Sequence, residues 1–241
     1  MSLNSKLTAI QLNELAQFDT PTICNAIESF QIKPNTEGFM GPEIKCIIPY
    51  NKPIVGYACT GKISATSPAT DDQKKLVTPY YVKLAEDNSQ KIAVLEDIDD
   101  RPIGSFWGGV NSSIHMVFNC NGVVTNGGVR DIDDARKIGF RYFASSVLVS
   151  HAYVHLTEIN CPVKVGGLTI NPGDLLHADI HGVLLIPGEI AGMLAKACRE
   201  VIDAENIVIE ECVKRKGLGI DIGYLQELRL KMYKLRDSKR G

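Results

Sequence analysis

The stretch Asn126-Gly127-Gly128-Val129-Arg130-Asp131-Ile132-Asp133-Asp134 gathers the residue types that anion and acid chemistry needs. Gly122-Val123-Val124-Thr125 before it reads as a strand, and Asp131 to Ile138 after it as a short helix stopped by Gly139. A strand that ends in glycines and opens into a helix presents unpaired backbone N–H groups, which suit an oxyanion. Arg130 adds a planar fork that can grip a carboxylate through two hydrogen bonds. Asp131 beside it offers hard oxygen to a divalent cation. Together they would stabilise an enolate, the charge that develops when an α-keto acid loses a carbon fragment. The same residues also read as an ordinary helix start, with Asp131, Asp133 and Asp134 as first-turn acids and Arg130 paired to one of them.

Gly108-Gly109-Val110-Asn111 stands just before a second helical pattern and offers another amide cradle. Its value depends on lying near Arg130, which a strand-to-helix order permits. His151/His155 and His177/His181 are two i, i+4 pairs, a zinc spacing on a helix. Both fall in β-branched, alternating stretches, where residues four apart stand ~13 Å from each other, too far for one metal. Asp97, Asp99 and Asp100 read as a solvated strand-end loop. The chain has no G-x-x-x-x-G-K-[ST], no G-x-G-x-x-G after its first strands and no G-x-S-x-G. Nucleotide-dependent and serine-hydrolase chemistry therefore lack their usual motifs.

The elements that must position these residues follow from periodicity. Residues 5–30 read as two helices, the second opened by Thr20 as cap and Pro21 as first residue, with Ile23, Ala26, Ile27 and Phe30 on one face. A strand broken by Gly56 and Gly61 is expected over 54–63, a helix over 73–87, and a buried strand at Ile92 to Leu95. Ile114, Val117 and Phe118 mark the apolar stripe of the helix after Gly109. Extended segments follow at 140–143 and 147–156. Gly166-Gly167 then joins two short strands in a hairpin, and 183–186 forms the last strand. Long helical patterns close the chain over 189–215 and 222–236. Strands alternating with helices argue for one α/β domain over residues 1–241, with helical ends.

Composition agrees with a globular chain. Its 241 residues are 44% apolar and 22% charged, with a net charge of −2. That balance gives no electrostatic footprint for nucleic acid or an anionic membrane. Seven scattered cysteines with no C-x-x-C pair fit a reducing cytoplasm. No apolar run approaches ~18 residues, and Met-Ser-Leu-Asn-Ser-Lys lacks the apolar stretch of a signal peptide.

With Gly127-Gly128-Val129-Arg130-Asp131 in hand, the sequence resembles a known family. This is the group of the regulator of ribonuclease activity A and the metal-dependent 4-hydroxy-4-methyl-2-oxoglutarate / 4-carboxy-4-hydroxy-2-oxoadipate aldolases. Further matching pieces are Gly56 to Thr60, Trp107-Gly108-Gly109, Gly122 to Gly127, Val165-Gly166-Gly167, Pro172-Gly173-Asp174 and Ala178 to Val183 running to Pro187. They occur in the family's order over roughly residues 20–190. The resemblance implies a β/β/α-layered, swivelling-type domain that assembles as trimers, often paired to hexamers, with sites at subunit boundaries. It implies that Arg130 contacts a pyruvyl substrate, that Asp131 ligates Mg²⁺ or Mn²⁺, and that the backbone of Gly108 to Asn111 takes the substrate carboxylate. Asp134 stands where an acid accompanies catalysis, and several such enzymes also decarboxylate oxaloacetate.

Three positions depart from the family's pattern. Gly109 stands where the aldolases carry an acid 21 residues before the arginine, Asn126 replaces a common Asp, and His181 another. Loss of the carboxylate at 109 weakens a metal site or changes its proton shuttle; His181, Glu43 and Asp97 are candidates to compensate. The expectation is a metal-dependent carbon–carbon lyase acting on a small anionic α-keto acid. The alternative is a non-catalytic, trimeric protein-binding module like the ribonuclease regulator. Methyl transfer is set aside, because the chain shows no S-adenosylmethionine loop.

Overall fold

Parallel strands joined through helices need both sheet faces covered, and the chain supplies a different cover for each. The computed structural model describes residues 6–237. The elements run α1 (Ala9–Leu15), α2 (Thr20–Ser29), β1 (Lys45–Cys46), β2 (Ile54–Ser64), α3 (Asp71–Lys74), α4 (Val77–Ala85), β3 (Lys91–Asp97), α5 (Gly109–Val117) and β4 (Cys120–Val129). After them come α6 (Ile132–Ile138), β5 (Arg141–Val147), β6 (His155–Ile159), β7 (Val163–Val165), β8 (Leu168–Ile170), β9 (Leu175–Asp179), β10 (Gly182–Ile186), α7 (Leu194–Lys214) and α8 (Ile222–Asp237).

The main sheet has the order β1-β5-β4-β3-β2-β9-β10, with β6 also paired to β2. Strands β2 to β5 run parallel, while β1, β6, β9 and β10 are antiparallel to their neighbours. Alternation along the strands divides the core. Ala93, Leu95, Val123 and Ala144 pack with Tyr80, Leu84 and Ala135 of the helices, around Trp107 and Phe140. Ile92, Val94, Val124 and Phe143 face the other way, onto Val163, Val165 and Ile170 of the β7–β8 hairpin. The hairpin turns on Gly166 and Gly167, both at positive φ, as a two-residue loop requires. The result is the expected α/β fold in β/β/α layers, with α1, α2 and α7 packed beside it on β9 and β10.

Several local expectations are corrected. The cap of α2 is Asp19, whose side chain accepts from Thr22 N at 2.9 Å. Thr20 is buried instead, donating its N–H to Asp179 Oδ2 at 2.8 Å. Strand β2 is unbroken; Gly56 is there because a Cβ would stand 2.9 Å from the Lys91 carbonyl carbon of the neighbouring strand. The helix expected over 73–87 is two, because Pro79 cannot bond back toward Lys75 and the chain restarts at Val77. Strand β9 was not expected: all five residues are buried, so no alternation marks it. The segment 148–154 turns rather than extending. Val117 is 78% exposed, because α5 turns Ser112 and His115 inward in place of an aliphatic stripe. His115 meets Tyr80 Oη at 2.9 Å and Asn111 O at 2.6 Å, beside the Trp107 ring.

Burial pushes the His115 and His177 imidazoles down to about 4, and pushes the Asp97 carboxyl up to about 6. Unfolded imidazoles take protons near 6.5 that the folded ones refuse, so their stability is lost as pH falls from about 6.5 to about 4. Asp97 acts oppositely, holding a proton in the fold that the unfolded chain has released above about 4. Two groups against one leave a net loss on acidification. Thermal melts are expected to show Tm falling through that window, and a His177→Gln variant to flatten the fall.

Candidate active site

The parallel strands deliver the site at their carboxyl ends, where open α/β sheets place ligands. Strand β4 ends at Val129, which bridges in parallel to Trp107, so the loop entering α5 lies beside the loop entering α6. Arg130 N donates to Trp107 O at 3.2 Å. Beneath this crossing, Ser105 Oγ lies 2.6 Å from Trp107 O and 2.9 Å from Gly128 O, fixing both loops. Sequence reasoning missed Ser105; a lone serine carries no signal of its own.

Asp131 occupies the cap position of α6 but does not cap it. Its backbone is left-handed, φ 53° and ψ 45°, and its side chain makes no bond to the helix. Instead Asp131 Oδ2 accepts from Gly109 N at 3.0 Å, while Arg130 Nε stands 4.0 Å from the same oxygen. A non-glycine residue at positive φ costs of order 1 kcal/mol or more, and here the strain aims a carboxylate away from its own helix. The ordinary helix-start reading of Asp131 is therefore overturned. Asp133 and Asp134 do behave as first-turn acids, paired to Arg136 and to Lys137 Nζ, the latter at 3.3 Å.

The candidate residues converge. A Cβ on Gly108 would meet Asp131 Oδ2 at 2.7 Å and Arg130 Nε at 3.3 Å, so Gly108 is the clearance that lets those groups approach. A Cβ on Gly109 would lie 3.5 Å from Asp134 Oδ2 and 3.9 Å from Asp131 Oδ2. Gly109, Val110 and Asn111 begin α5; Gly109 N is taken by Asp131, and no acceptor within the described chain faces the N–H groups of Val110 and Asn111. Asn111 Nδ2 ties back to Phe106 O at 2.6 Å. Below them the buried Ser112 Oγ and Tyr142 Oη stand 2.8 Å apart. Burial, reinforced by the Asp131 and Asp134 charges, pushes the Tyr142 hydroxyl up to about 12, so it stays a neutral donor. A Gly108→Ala variant is expected to displace the Asp131 carboxylate and move the Gly109 amide resonance in NMR spectra. An unmoved resonance would contradict the clearance.

Of the three departing positions Gly109 lies in the site, and the other two sit elsewhere. Asn126 clips β3 to β4, its Oδ1 accepting from Asp97 N and its Nδ2 donating to Asp97 O, both at 2.8 Å. A carboxylate could not make the second bond. His181 Nδ1 pairs with Asp179 Oδ1 at 3.1 Å, and Asp97 with Asn126 and Asp99 N. Glu43 lies beside Gly41. None of these side chains is paired with Arg130 or Asp131. Asp134 is the carboxylate that reaches the space beside Gly109.

A metal was expected at Asp131. Among the described residues no three His, Cys, Asp or Glu side chains converge as a metal cage. The donors present are carboxylate oxygens, one half-exposed on Asp131 and one on Asp134. That set fits Mg²⁺ or Mn²⁺ held by one or two carboxylates and retaining water; it does not suit zinc. No helix among the described residues is long and apolar enough to cross a membrane.

Comparison with known proteins bears on the family and the fold. An uncharacterized protein of Methanocaldococcus jannaschii is 26% identical over 209 residues, covering 86% of this chain and 91% of that one. A 4-hydroxy-4-methyl-2-oxoglutarate aldolase of Thermus thermophilus is 34% identical over 73 residues, 30% of this chain and 44% of that one. Among solved structures, an uncharacterized Pseudomonas syringae protein superposes with a TM-score of 0.70 at 22% identity, covering 95% of this chain and 97% of that one. RraAS2 of Streptomyces coelicolor, a member of the RNase ES inhibitor RraA family, gives 0.66 at 18% identity over 86% of this chain and all of that one; both likenesses establish the fold. The RraA-like family model, described as Aldolase/RraA, matches residues 20–185, a span containing every residue of this site, and the chain belongs to that family.

Proposed function

We propose that the protein is a divalent-metal-dependent carbon–carbon lyase, cleaving or decarboxylating a small anionic α-keto acid through a pyruvate enolate. The observation that carries this reading is the strained Asp131, turned off its helix and held by Gly109 N–H beside the Arg130 guanidinium. Mg²⁺ or Mn²⁺ at Asp131 would supply a Lewis acid for the keto oxygen. The open N–H groups of Val110 and Asn111 receive the substrate carboxylate, and Arg130 pairs with the enolate charge. In the aldol case Asp134 takes the proton of the C4 hydroxyl. The C3–C4 bond pair passes to the pyruvyl part as C4 becomes an aldehyde or ketone carbonyl, and the enolate takes a proton at C3. In oxaloacetate the same bond pair is left behind by departing CO₂.

The test is pyruvate release from oxaloacetate with Mg²⁺, Mn²⁺ or chelator. Turnover that requires the ion supports the lyase, and none with either ion, from oxaloacetate or from a screen of 4-hydroxy-2-oxo acids, contradicts it. A second reading, a trimeric protein-binding regulator, draws support from Gly109, which brings no carboxylate to the metal side of the site. It expects no metal-dependent turnover. In either reading we infer a homotrimer or hexamer. Val149, 95% exposed, offers its carbonyl to Arg130 Nη1 at 3.5 Å, and Val147 and Val110 are 56% and 75% exposed. Apolar side chains crowding a charged site suit cover by a second copy. Light scattering is expected to give three or six times the chain mass.

A further inference from the structure

The buried residues of α5, Ser112 and His115, are both polar, and each bonds to a tyrosine hydroxyl on a different neighbouring element. Ser112 Oγ and Tyr142 Oη of β5 stand 2.8 Å apart; His115 Nε2 and Tyr80 Oη of α4 stand 2.9 Å apart. The other ring nitrogen, Nδ1, faces Asn111 O at 2.6 Å. A carbonyl only accepts, so Nδ1 carries the proton and Tyr80 donates to Nε2. The His115 ring also packs on Trp107, with centroids 4.6 Å apart, and Trp107 O holds Arg130 N. Burial raises both phenols, Tyr142 to about 12, so the two hydroxyls stay protonated through the neutral range. Apolar contact is non-directional and lets a helix roll about its axis, whereas a hydrogen bond fixes direction. Two such bonds, to separate elements, fix the rotation of α5 and with it the aim of the Val110 and Asn111 N–H groups.

We propose that Tyr142 and Tyr80 are positioning residues, which pin α5 through Ser112 and His115 so that the Val110 and Asn111 N–H groups converge on the substrate carboxylate. Neither tyrosine touches substrate, since both are fully buried. The proposal rests on the lyase reading for the identity of that carboxylate and adds no chemical step. Arg130 and the Asp131 carboxylate come from the other loop, after β4. A roll of α5 therefore weakens the hold on the acid head more than it slows the carbon–carbon step, which raises KM with little change in kcat.

Tyr142→Phe keeps the ring and strands the Ser112 hydroxyl. It is expected to lower Tm by about 2–4 °C, and to raise KM for oxaloacetate about ten-fold with kcat little changed. Adding Ser112→Ala removes the stranded hydroxyl, so Tm should return toward the wild-type value while KM stays raised. Tyr80→Phe should raise KM in the same way. Titrating the Val110 and Asn111 amide resonances with oxalate and Mg²⁺ reads the same cradle without turnover, and its midpoint should rise about ten-fold in each variant. KM and midpoint unchanged in all three variants, or restored together with Tm in the double variant, would make the tyrosines merely structural and overturn the proposal while leaving the lyase standing. Amides that answer oxalate in the wild type and less tightly in the variants, with no keto acid turned over, would overturn the lyase and leave the positioning role. Amides unmoved by oxalate in the wild type would overturn the proposal itself.

Discussion

An Arg130→Ala variant is expected to lose about 10²–10³-fold in kcat/KM for metal-dependent pyruvate release, the usual cost of removing one donor aimed at a developing oxyanion. Its fold should be indifferent. The side chain is a third exposed, and its described contacts are one ion pair at 4.0 Å to Asp131 and one long bond of 3.5 Å to Val149 O. Losing such contacts shifts stability by about 0.5 kcal/mol or less. Steady-state kinetics with light scattering and a thermal melt on the same preparation check both halves. An oligomer that falls apart in the variant, with turnover lost only as a consequence, would make Arg130 structural.

The second large effect runs in opposite directions for stability and function. Asp131 holds φ at 53° without helix-capping compensation, so Asp131→Gly should relieve backbone strain and gain about 1 kcal/mol. The gain is reduced by whatever Gly109 N–H loses when its acceptor is deleted. The same variant removes the carboxylate proposed to hold the metal. Turnover should vanish, and Mn²⁺ affinity, followed by electron paramagnetic resonance, should fall by a hundredfold or so, as for loss of a charged ligand. A variant less stable than wild type would show that Asp131 holds the fold. One that still bound Mn²⁺ unchanged would place the metal elsewhere.

What the sequence could reveal follows from which interactions are local. Gly139 and the Gly166-Gly167 turn are legible because their conformations are set within a few residues. The strand-to-helix join across Gly127 to Asp131 is legible because the strand, its closing glycines and the helix behind them are set within a few residues. Strand β9 was hidden, since a strand buried on both faces has no polar alternation, and α5 misled because a histidine and a serine replace its aliphatic core face. The meeting of Gly108, Gly109 and Asp131 depends on the crossing of two loops about twenty residues apart in sequence, with the Trp107–Val129 bridge holding them. No periodicity encodes that. Nor does any encode the strain at Asp131, which separates an aimed carboxylate from a helix cap.

Enolate formation can be isolated from every question about the natural substrate. Pyruvate, incubated in D₂O with the protein and Mg²⁺ or Mn²⁺, exchanges its methyl protons only if the site abstracts one and holds the resulting charge. Loss of the methyl proton signal in NMR spectra, dependent on the ion and absent in Arg130→Ala, is the predicted result. Methyl protons that persist at the uncatalysed rate with either ion would contradict the enolate site and favour the protein-binding regulator.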